Sequence, residues 1–268
     1  MNYDAWAEWY DVIYSTDRLG EVEFYVDLAR RSGGPVLEIG VGTGRIAIPT
    51  AQASVDMVGI DLNEPMLGRA RVKLAEAGEL SGSLELIRAD MRDFDLGKQF
   101  PLVTIPARAL LLATTSQEQQ RALACAANHL APGGSLVFNT FVPDPVMLSD
   151  SSRDRFFWGE AVNPANGRRC LLWAVNRFDT VAQTNDGLQI VEELDERGEI
   201  ARKVCLEVKI RYLYASEIHE MLVASGLGAQ AVYGSFDRTP FHEDSKEMIF
   251  VCRRGHYSSA PAPSPAMP

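Results

Sequence analysis

Residues 35–45 read Pro-Val-Leu-Glu-Ile-Gly-Val-Gly-Thr-Gly-Arg, and this stretch decides the fold of the chain. An apolar run that carries an acid is followed by three glycines on alternate positions and then by a helical pattern. A buried strand, a glycine turn and a helix are what an α/β sheet needs to place a ligand at the carboxyl end of its first strand. A dinucleotide-binding loop would read G-x-G-x-x-G, but Arg45 stands where that pattern needs its third glycine. The stretch therefore predicts an α/β ligand-binding sheet and disfavours a nicotinamide-dependent oxidoreductase.

Glu38, Gly40, Gly42 and Gly44 form the pattern Glu-x-Gly-x-Gly-x-Gly, which resembles the first motif of class I S-adenosylmethionine-dependent methyltransferases. The resemblance implies an α/β fold with a Rossmann-like seven-stranded sheet, its last strand antiparallel, and helices on both faces. It also implies S-adenosylmethionine as the cofactor. The glycines would approach its methionine tail closely because they lack a Cβ. Glu38 would contribute to the amino-acid end of the cofactor, or would pair, as a strand-end acid, with a helix N-terminus.

Asp61 stands about twenty residues beyond the glycines, directly after the predicted strand Val55–Ile60. A carboxylate at that place accepts hydrogen bonds from both ribose hydroxyls. The alternative is a helix cap, because Asn63 and the two residues after it look like a helix start. Leu62 and Met66 flank this position and offer apolar surface to the adenine face.

Asp90 and Met91 follow the predicted third strand, Leu84–Arg88. The resemblance implies that Asp90 accepts a hydrogen bond from the adenine amine and that the next backbone N–H reaches a ring nitrogen. A turn-forming aspartate is the alternative, with Asp93 competing for the role.

The loop after the predicted fourth strand, Phe100–Ile105, begins with Pro106, which we place against the cofactor. Nucleic-acid amino-methyltransferases carry Asn/Asp-Pro-Pro-aromatic there, and this chain does not. Arg108 is the charged side chain of the loop. It either orients an anionic or carbonyl-bearing substrate or pairs with a carboxylate such as Asp90.

The N-terminal segment contains Trp9-Tyr10-Asp11-x-x-Tyr14 at helical spacing. A helix packed on the core would explain these aromatic residues. Many small-molecule methyltransferases, however, begin with a similar aromatic-Asp-x-x-Tyr helix that folds over the cofactor. By that resemblance Tyr10 and Tyr14 are lid residues, and Tyr14 faces the sulfonium through cation–π or dipole attraction.

The chain divides into four predicted parts: a helical lid (1–34), the cofactor-binding sheet (35–141 and 215–254), an antiparallel β insertion (142–214) and a disordered tail (255–268). The insertion is interpreted as a cover for the substrate, or alternatively as a dimer surface. Its candidate lining residues are aromatic: Phe156, Phe157, Trp158 and Trp173.

Bulk composition restricts the partners. The net charge of −10 disfavours a nucleic-acid partner, which would need a basic face. No apolar run approaches the ~20 residues that span a bilayer, and the four cysteines have no metal-ligand spacing. We expect a cytoplasmic monomer or homodimer that binds no metal and no membrane.

Methyl transfer from a sulfonium is an in-line displacement, for which orientation alone supplies ~7–11 kcal/mol. A weakly acidic nucleophile also needs a base, and His242, in the loop Asp237–Ser245, is the candidate. We predict methylation of N or O on a small-molecule acceptor. Protein or RNA methylation and non-catalytic binding of S-adenosylmethionine are the alternatives, and the acceptor itself stays open.

Overall fold

The computed structural model describes residues 3–14, 20–149 and 154–255. The strands, in chain order, are β1 (Val36–Ile39), β2 (Met57–Asp61), β3 (Leu84–Arg88), β4 (Phe100–Ile105), β5 (Leu130–Phe141), β6 (Phe156–Val162), β7 (Arg169–Val175), β8 (Phe178–Asp179), β9 (Thr184–Leu194), β10 (Ile200–Arg211), β11 (Leu227–Tyr233) and β12 (Glu247–Arg254). The helices are α1 (Tyr3–Ile13), α2 (Glu21–Ser32), α3 (Ala47–Gln52), α4 (Glu64–Glu76), α5 (Ser116–Asn128), α6 (Pro145–Ser149) and α7 (Ala215–Ala224). No helix within these ranges is long and apolar enough to cross a membrane.

Seven strands form the main sheet, in the order β11-β12-β5-β4-β1-β2-β3. Strand β12 lies between β11 and β5 and is antiparallel to both, while β1 pairs with β2 and β4 in parallel. The predicted antiparallel last strand is therefore confirmed. The strand order reverses between β1 and β4, and ligands bind at such a switch point, outside the carboxyl ends of the strands.

Apolar burial on both faces explains the central strands. Leu37, Ile39, Val103 and Ile105 are all inaccessible to solvent, because helices cover the two faces of a parallel sheet and leave no wet side. Strands of this kind read as continuous apolar runs. That is why the limits of β4 agree with those predicted from the sequence. Strand β3 also has its predicted limits, although it is a partly buried edge strand.

The predicted antiparallel insertion is confirmed as a second sheet, in the order β10-β9-β7-β6 with β8 beside β9. The sequence did not predict β6 as a strand. It lies at the sheet edge, and Phe156, Phe157 and Trp158 are all exposed, so the apolar–polar alternation of a half-buried strand is missing. These three residues and Trp173 do not line the cavity beneath the sheet. Trp158 instead packs edge-on against Tyr14 of the cavity wall, with ring centroids 6.0 Å apart.

Three element limits differ from the sequence prediction. The sequence predicts a helix capped by Thr43, but the helix begins at Ala47, because the Gly44 N–H closes a turn onto the Val41 carbonyl oxygen (2.9 Å). The sequence also predicts a turn at 131–134 before the fifth strand, but β5 begins at Leu130 and runs through these residues. The predicted N-terminal lid contains two helices, and α2 packs into the core through Phe24 and Tyr25. Of the predicted tail, residues 256–268 lie outside the described residues.

Candidate cofactor and acceptor site

A cavity of about 700 Å³ opens at the carboxyl edge of the main sheet, beneath the second sheet. Its wall combines α1, the glycine loop, the ends of β2 and β3, the loop after β4 and the insertion. Many of the predicted site residues line it: Tyr10, Tyr14, Gly40, Gly42, Asp61, Leu62, Met66, Asp90, Met91 and Arg108. The fold thus brings together residues that are up to 98 positions apart, counting from Tyr10 to Arg108.

The glycine loop approaches the loop after β4 closely. Gly40 has φ +78°, and a Cβ built on it would lie 2.7 Å from the Ala109 Cβ. Glycine is required at this position, because any other residue would strain the backbone and its Cβ would clash with the Ala109 methyl group. The backbone at Gly40 is therefore left open to the cavity.

Asp61 joins the glycine loop to the start of α4. Its Oδ2 accepts a hydrogen bond from the Gly42 N–H (2.9 Å), and its Oδ1 accepts one from the Asn63 N–H (2.8 Å). Asn63 is the N-cap residue of α4, and its own side chain makes no capping bond. Burial raises the pKa of Asp61, while these N–H donors oppose the shift. The carboxylate keeps lone pairs for a ligand, because each oxygen accepts more than one hydrogen bond.

Glu38 is 2% exposed on β1, behind the cavity wall. Within the described part of the chain, its Oε2 has no hydrogen-bond partner. Burial raises the pKa of Glu38 to about 8, and the carboxylates of Glu21 and Asp61 add to the shift, while Arg45 lowers it. A buried carboxyl oxygen without a donor fits a cationic ligand group, because burying it unpaired costs free energy.

Tyr10 of α1 and Tyr14, directly after the end of α1, lie in the cavity wall with ring centroids 4.7 Å apart. Burial raises the pKa of both Tyr10 and Tyr14, so the phenols are neutral near pH 7. Asp11 fixes the helix that carries them, because its Oδ1 accepts hydrogen bonds from Thr43 Oγ1 (2.8 Å) and Lys73 Nζ (2.7 Å). In the sequence Asp11 is recognisable only as part of the N-terminal motif, and the structure identifies its partners on the glycine loop and α4.

Arg108 pairs with a carboxylate, as one of its two interpretations predicts, but the partner is Glu247 of β12 rather than Asp90. Glu247 is buried and also accepts a hydrogen bond from Asn139 Nδ2 (3.2 Å). The guanidinium lies over the Phe141 ring, 5.4 Å from its centroid. This pairing holds Arg108 in the cavity wall.

Asp90 is bound by Arg92, which the sequence prediction did not include. Arg92 Nε donates to Asp90 Oδ1 (2.8 Å), and another guanidinium nitrogen donates to Oδ2 (2.6 Å). These charge-assisted bonds lower the pKa of Asp90. The sequence shows an aspartate and an arginine two positions apart, and this spacing is the signal from which the pair could have been predicted. Both residues line the cavity beside Met91.

Glu38, Gly44, Pro106 and His242 do not line the cavity. His242 lies in an exposed loop, where its N–H donates to Ser245 Oγ (2.9 Å) and its Nδ1 accepts from the Asp244 N–H (3.3 Å). It has no place against a ligand in the cavity, and we do not retain it as a base. In the described ranges, no group of three or more His, Cys, Asp or Glu side chains is placed to hold a metal ion.

Comparison with known proteins agrees with this architecture. Residues 36–134 match the methyltransferase domain family. A cypemycin N-terminal methyltransferase from a Streptomyces species is 28% identical over 257 residues, which cover 94% of this chain and 97% of that protein.

Two solved structures share the fold. The CcbJ methyltransferase from Streptomyces caelestis has a TM-score of 0.71 at 27% identity, covering 88% of this chain and 94% of that chain. The S-adenosylmethionine-bound amino pentose methyltransferase CalS10 from Micromonospora echinaspora has a TM-score of 0.71 at 23% identity, covering 92% and 96%. With the glycine loop and the seven-stranded sheet, these matches support a methyltransferase enzyme that uses S-adenosylmethionine as its cofactor, with residues 36–134 as its methyltransferase domain.

Proposed function

We propose that the enzyme transfers the cofactor's methyl group to an amine nitrogen of a small molecule by in-line displacement. The observation that carries the proposal is the single cavity that joins the glycine loop and Asp61 to the second sheet. The end at the glycine loop and Asp61 would hold the cofactor, and the end beneath the second sheet would hold the acceptor. The relatives support nitrogen as the acceptor atom, since their names specify a peptide N-terminus and an amino pentose.

The residues present fit the cofactor. Asp61 offers a carboxylate for the ribose hydroxyls at the point where the glycine loop is tied to it. Glu38 lies behind the wall, and its Oε2, which has no hydrogen-bond partner among the described residues, places a carboxyl group near the expected position of the cofactor's ammonium group. Asp90 and Met91 line the part of the wall that would face adenine, beside Leu62 and Met66. When bound, S-adenosylmethionine supplies a methyl group on a positively charged sulfur.

The chain's own contribution to the reaction is to position the acceptor amine and the methyl group. Tyr10 and Tyr14 are neutral phenols, so they offer a ring face or a hydroxyl oxygen to a cation but no strong base. A neutral amine already carries its lone pair and needs little proton transfer before attack. The main contribution is then to hold the amine in line with the methyl group, and the second sheet and helix α1 provide this positioning.

Titration calorimetry with S-adenosylhomocysteine tests the cofactor site. The wild-type enzyme should bind with micromolar or tighter affinity, and Asp61→Ala should weaken binding by about 1–3 kcal/mol through loss of hydrogen bonds. Asp95→Ala is the matched control, because Asp95 is an exposed aspartate away from the cavity. Absence of wild-type binding, or equal affinity of Asp61→Ala and wild type, would refute the assignment. Mass spectrometry of methylated acceptors then distinguishes nitrogen from oxygen.

A further inference from the structure

The second sheet forms an apolar roof over the acceptor end of the cavity. Strands β7, β9 and β10 alternate, so that one face of each lies toward the main sheet. Phe178, Val208 and Ile210 share the face of Gln189 and line the cavity. Val175 and Leu188 also line it, but they are cross-strand partners on the opposite face of the sheet. An acceptor seated there contacts hydrocarbon along most of its length.

Three amide side chains supply the polar groups of the roof. Asn185 Nδ2 donates to Asn176 Oδ1 (2.9 Å), and Asn185 Oδ1 accepts from the Arg177 N–H (2.8 Å), so both polar atoms of the Asn185 amide and the Oδ1 of Asn176 are hydrogen-bonded. Gln189 lines the same cavity, and the described residues give its amide no hydrogen-bond partner. The Gln189 amide, a neutral hydrogen-bond donor and acceptor, is thus available to a ligand in the cavity.

Gly187 makes room between these amides. A Cβ built on it would lie 2.7 Å from the Val175 carbonyl oxygen and 3.4 Å from Asn185 Oδ1. Any larger residue would push the strands apart or fill the cavity. The roof therefore has a notch flanked by Asn185 and Gln189.

The charges in the cavity wall leave little attraction for a phosphate. Among residues 3–14, 20–149 and 154–255, three cationic side chains line it, and each has a carboxylate partner: Arg92 with Asp90 and Glu118, Arg108 with Glu247, and Lys246 with Asp144. The Lys246 side chain is 82% exposed, and its Nζ lies 3.9 Å from Asp144 Oδ2. Phosphate recognition in proteins relies on cations or backbone N–H groups free to bind it. A diphosphate entering here would compete with the carboxylate partners of Arg92 and Arg108, whereas the exposed Lys246 pair offers little competition.

We infer that the acceptor is an amine on an uncharged, largely apolar body without phosphate, oriented by a hydrogen bond to Gln189. This inference rests on the proposed methyl transfer and specifies its substrate class. The apolar roof binds the body, Gln189 binds a neutral hydroxyl or amide group, and the amine is left toward the cofactor end. In the transfer, the nitrogen lone pair forms the new N–CH₃ bond as the S–CH₃ bond breaks. The bonding pair stays on sulfur, and the ammonium product then loses a proton to solvent.

Two matched amines test the inference: an amino sugar as its neutral octyl glycoside, and the same amino sugar linked to a nucleoside diphosphate. Calorimetry is performed on enzyme saturated with S-adenosylhomocysteine, and turnover is followed with isotope-labelled S-adenosylmethionine. We expect the octyl glycoside to bind at least tenfold more tightly and to be the better substrate. Tighter binding of the diphosphate compound, or no binding of either amine, overturns the inference. The affinity for S-adenosylhomocysteine is measured separately, so failure of the proposed function is distinguishable.

Gln189→Leu tests the orienting contact. It should lower the affinity for the octyl glycoside about three- to tenfold, the effect of one lost neutral hydrogen bond. The affinity for S-adenosylhomocysteine should stay within about twofold of the wild-type value, since Gln189 belongs to the roof. Gln230→Leu is the matched control, because Gln230 is exposed on β11, outside the cavity. Unchanged glycoside affinity in Gln189→Leu would remove Gln189 from the site.

Discussion

Two consecutive residues of the loop after β4 hold left-handed backbone without being glycine. Ala107 has φ +53° and Arg108 has φ +58°, a conformation that costs about 1–2 kcal/mol for each L-residue. Tertiary contacts hold them there: Glu21 Oε1 accepts from the Ala107 N–H (2.9 Å), and Glu247 pairs with Arg108. Strain at a ligand site that the surrounding structure enforces is a feature of functional loops. The cavity wall is therefore fixed before any ligand enters.

Glu38 should make cofactor binding depend on pH. Its pKa of about 8 lies above the ordinary 4.5 because the side chain is buried. Without cofactor, folding takes up a proton on this group, so its contribution to the free energy of unfolding falls as pH rises from about 4.5 to 8. A bound ammonium group favours the carboxylate and lowers its pKa, so binding of S-adenosylhomocysteine should release a proton near pH 7. Affinity should then rise between pH 6 and 8.

Calorimetry at pH 7, in two buffers that differ in ionisation enthalpy, measures this proton release. Glu38→Gln should abolish the release and flatten the pH dependence of affinity. Glu85→Gln is the control, since Glu85 is an exposed residue of β3. If Glu38→Gln releases as many protons as the wild type does, Glu38 does not respond to the ligand.

At the scale of elements, α1 lies between the two sheets. The Trp6 indole N–H donates to the Glu207 carbonyl oxygen of β10 (2.9 Å), and Trp9 packs in the same cluster as Leu172 and Leu206. On its other side, Asp11 reaches Thr43 and Lys73. Helix α1 therefore connects the acceptor roof to the glycine loop, which explains how Tyr10 and Tyr14 are held in the wall.

Removing the Asp11 contact should weaken cofactor binding without unfolding the enzyme. Asp11→Ala loses two hydrogen bonds to the glycine loop and α4, and we expect about 1–2 kcal/mol weaker binding of S-adenosylhomocysteine. Glu8→Ala on the same helix is the control, because Glu8 pairs with Arg202 at the exposed surface and such pairs contribute about 0.2–1 kcal/mol. Calorimetry compares the variants, and circular dichroism checks the fold. Equal affinities for Asp11→Ala and Glu8→Ala would contradict a positioning role for Asp11.

For the whole molecule, a buried network joins the second sheet to the helices of the main domain. Arg211, at the end of β10, donates to Gln119 Oε1 (2.8 Å), Gln183 Oε1 (3.0 Å) and Glu217 Oε1 (2.6 Å). Gln119 of α5 donates back to the Arg211 carbonyl oxygen (2.9 Å). Because both sheets share these contacts, we expect them to unfold in one cooperative transition.

Arg211→Met should destabilise the whole enzyme by about 3 kcal/mol, because it leaves Glu217 and Gln119 without their cationic partner in a largely buried place. Urea denaturation followed by near- and far-ultraviolet circular dichroism measures the free energy of unfolding. Lys209→Met is the control two residues earlier, where Lys209 pairs with Asp186 in an exposed position. A loss below about 1 kcal/mol in Arg211→Met, or two separated transitions in the wild type, would contradict this role.

The sequence by itself determined the α/β fold, the antiparallel insertion and the position of the cofactor loop. These features follow from local patterns: the buried run before Gly40, the spacing of the glycines and the alternation in β10. Each depends on residues close together in the chain, where backbone geometry fixes which side chains share a face. Such patterns fail where the alternation is missing, as in β6, or where a turn delays a helix, as at Gly44.

Only the tertiary structure decided the partners of the charged residues and the limits of the cavity. Arg108 meets Glu247 across 139 positions of sequence, Asp11 meets Thr43 across 32, and His242 lies outside the wall. Contacts between distant segments depend on strand order and on how the insertion folds back over the sheet. The sequence neighbours of Glu247 do not reveal that Arg108 will reach it, whereas the partner of Asp90 lies only two residues away. The acceptor site could likewise be recognised only from the tertiary structure, because its walls come from two separate sheets.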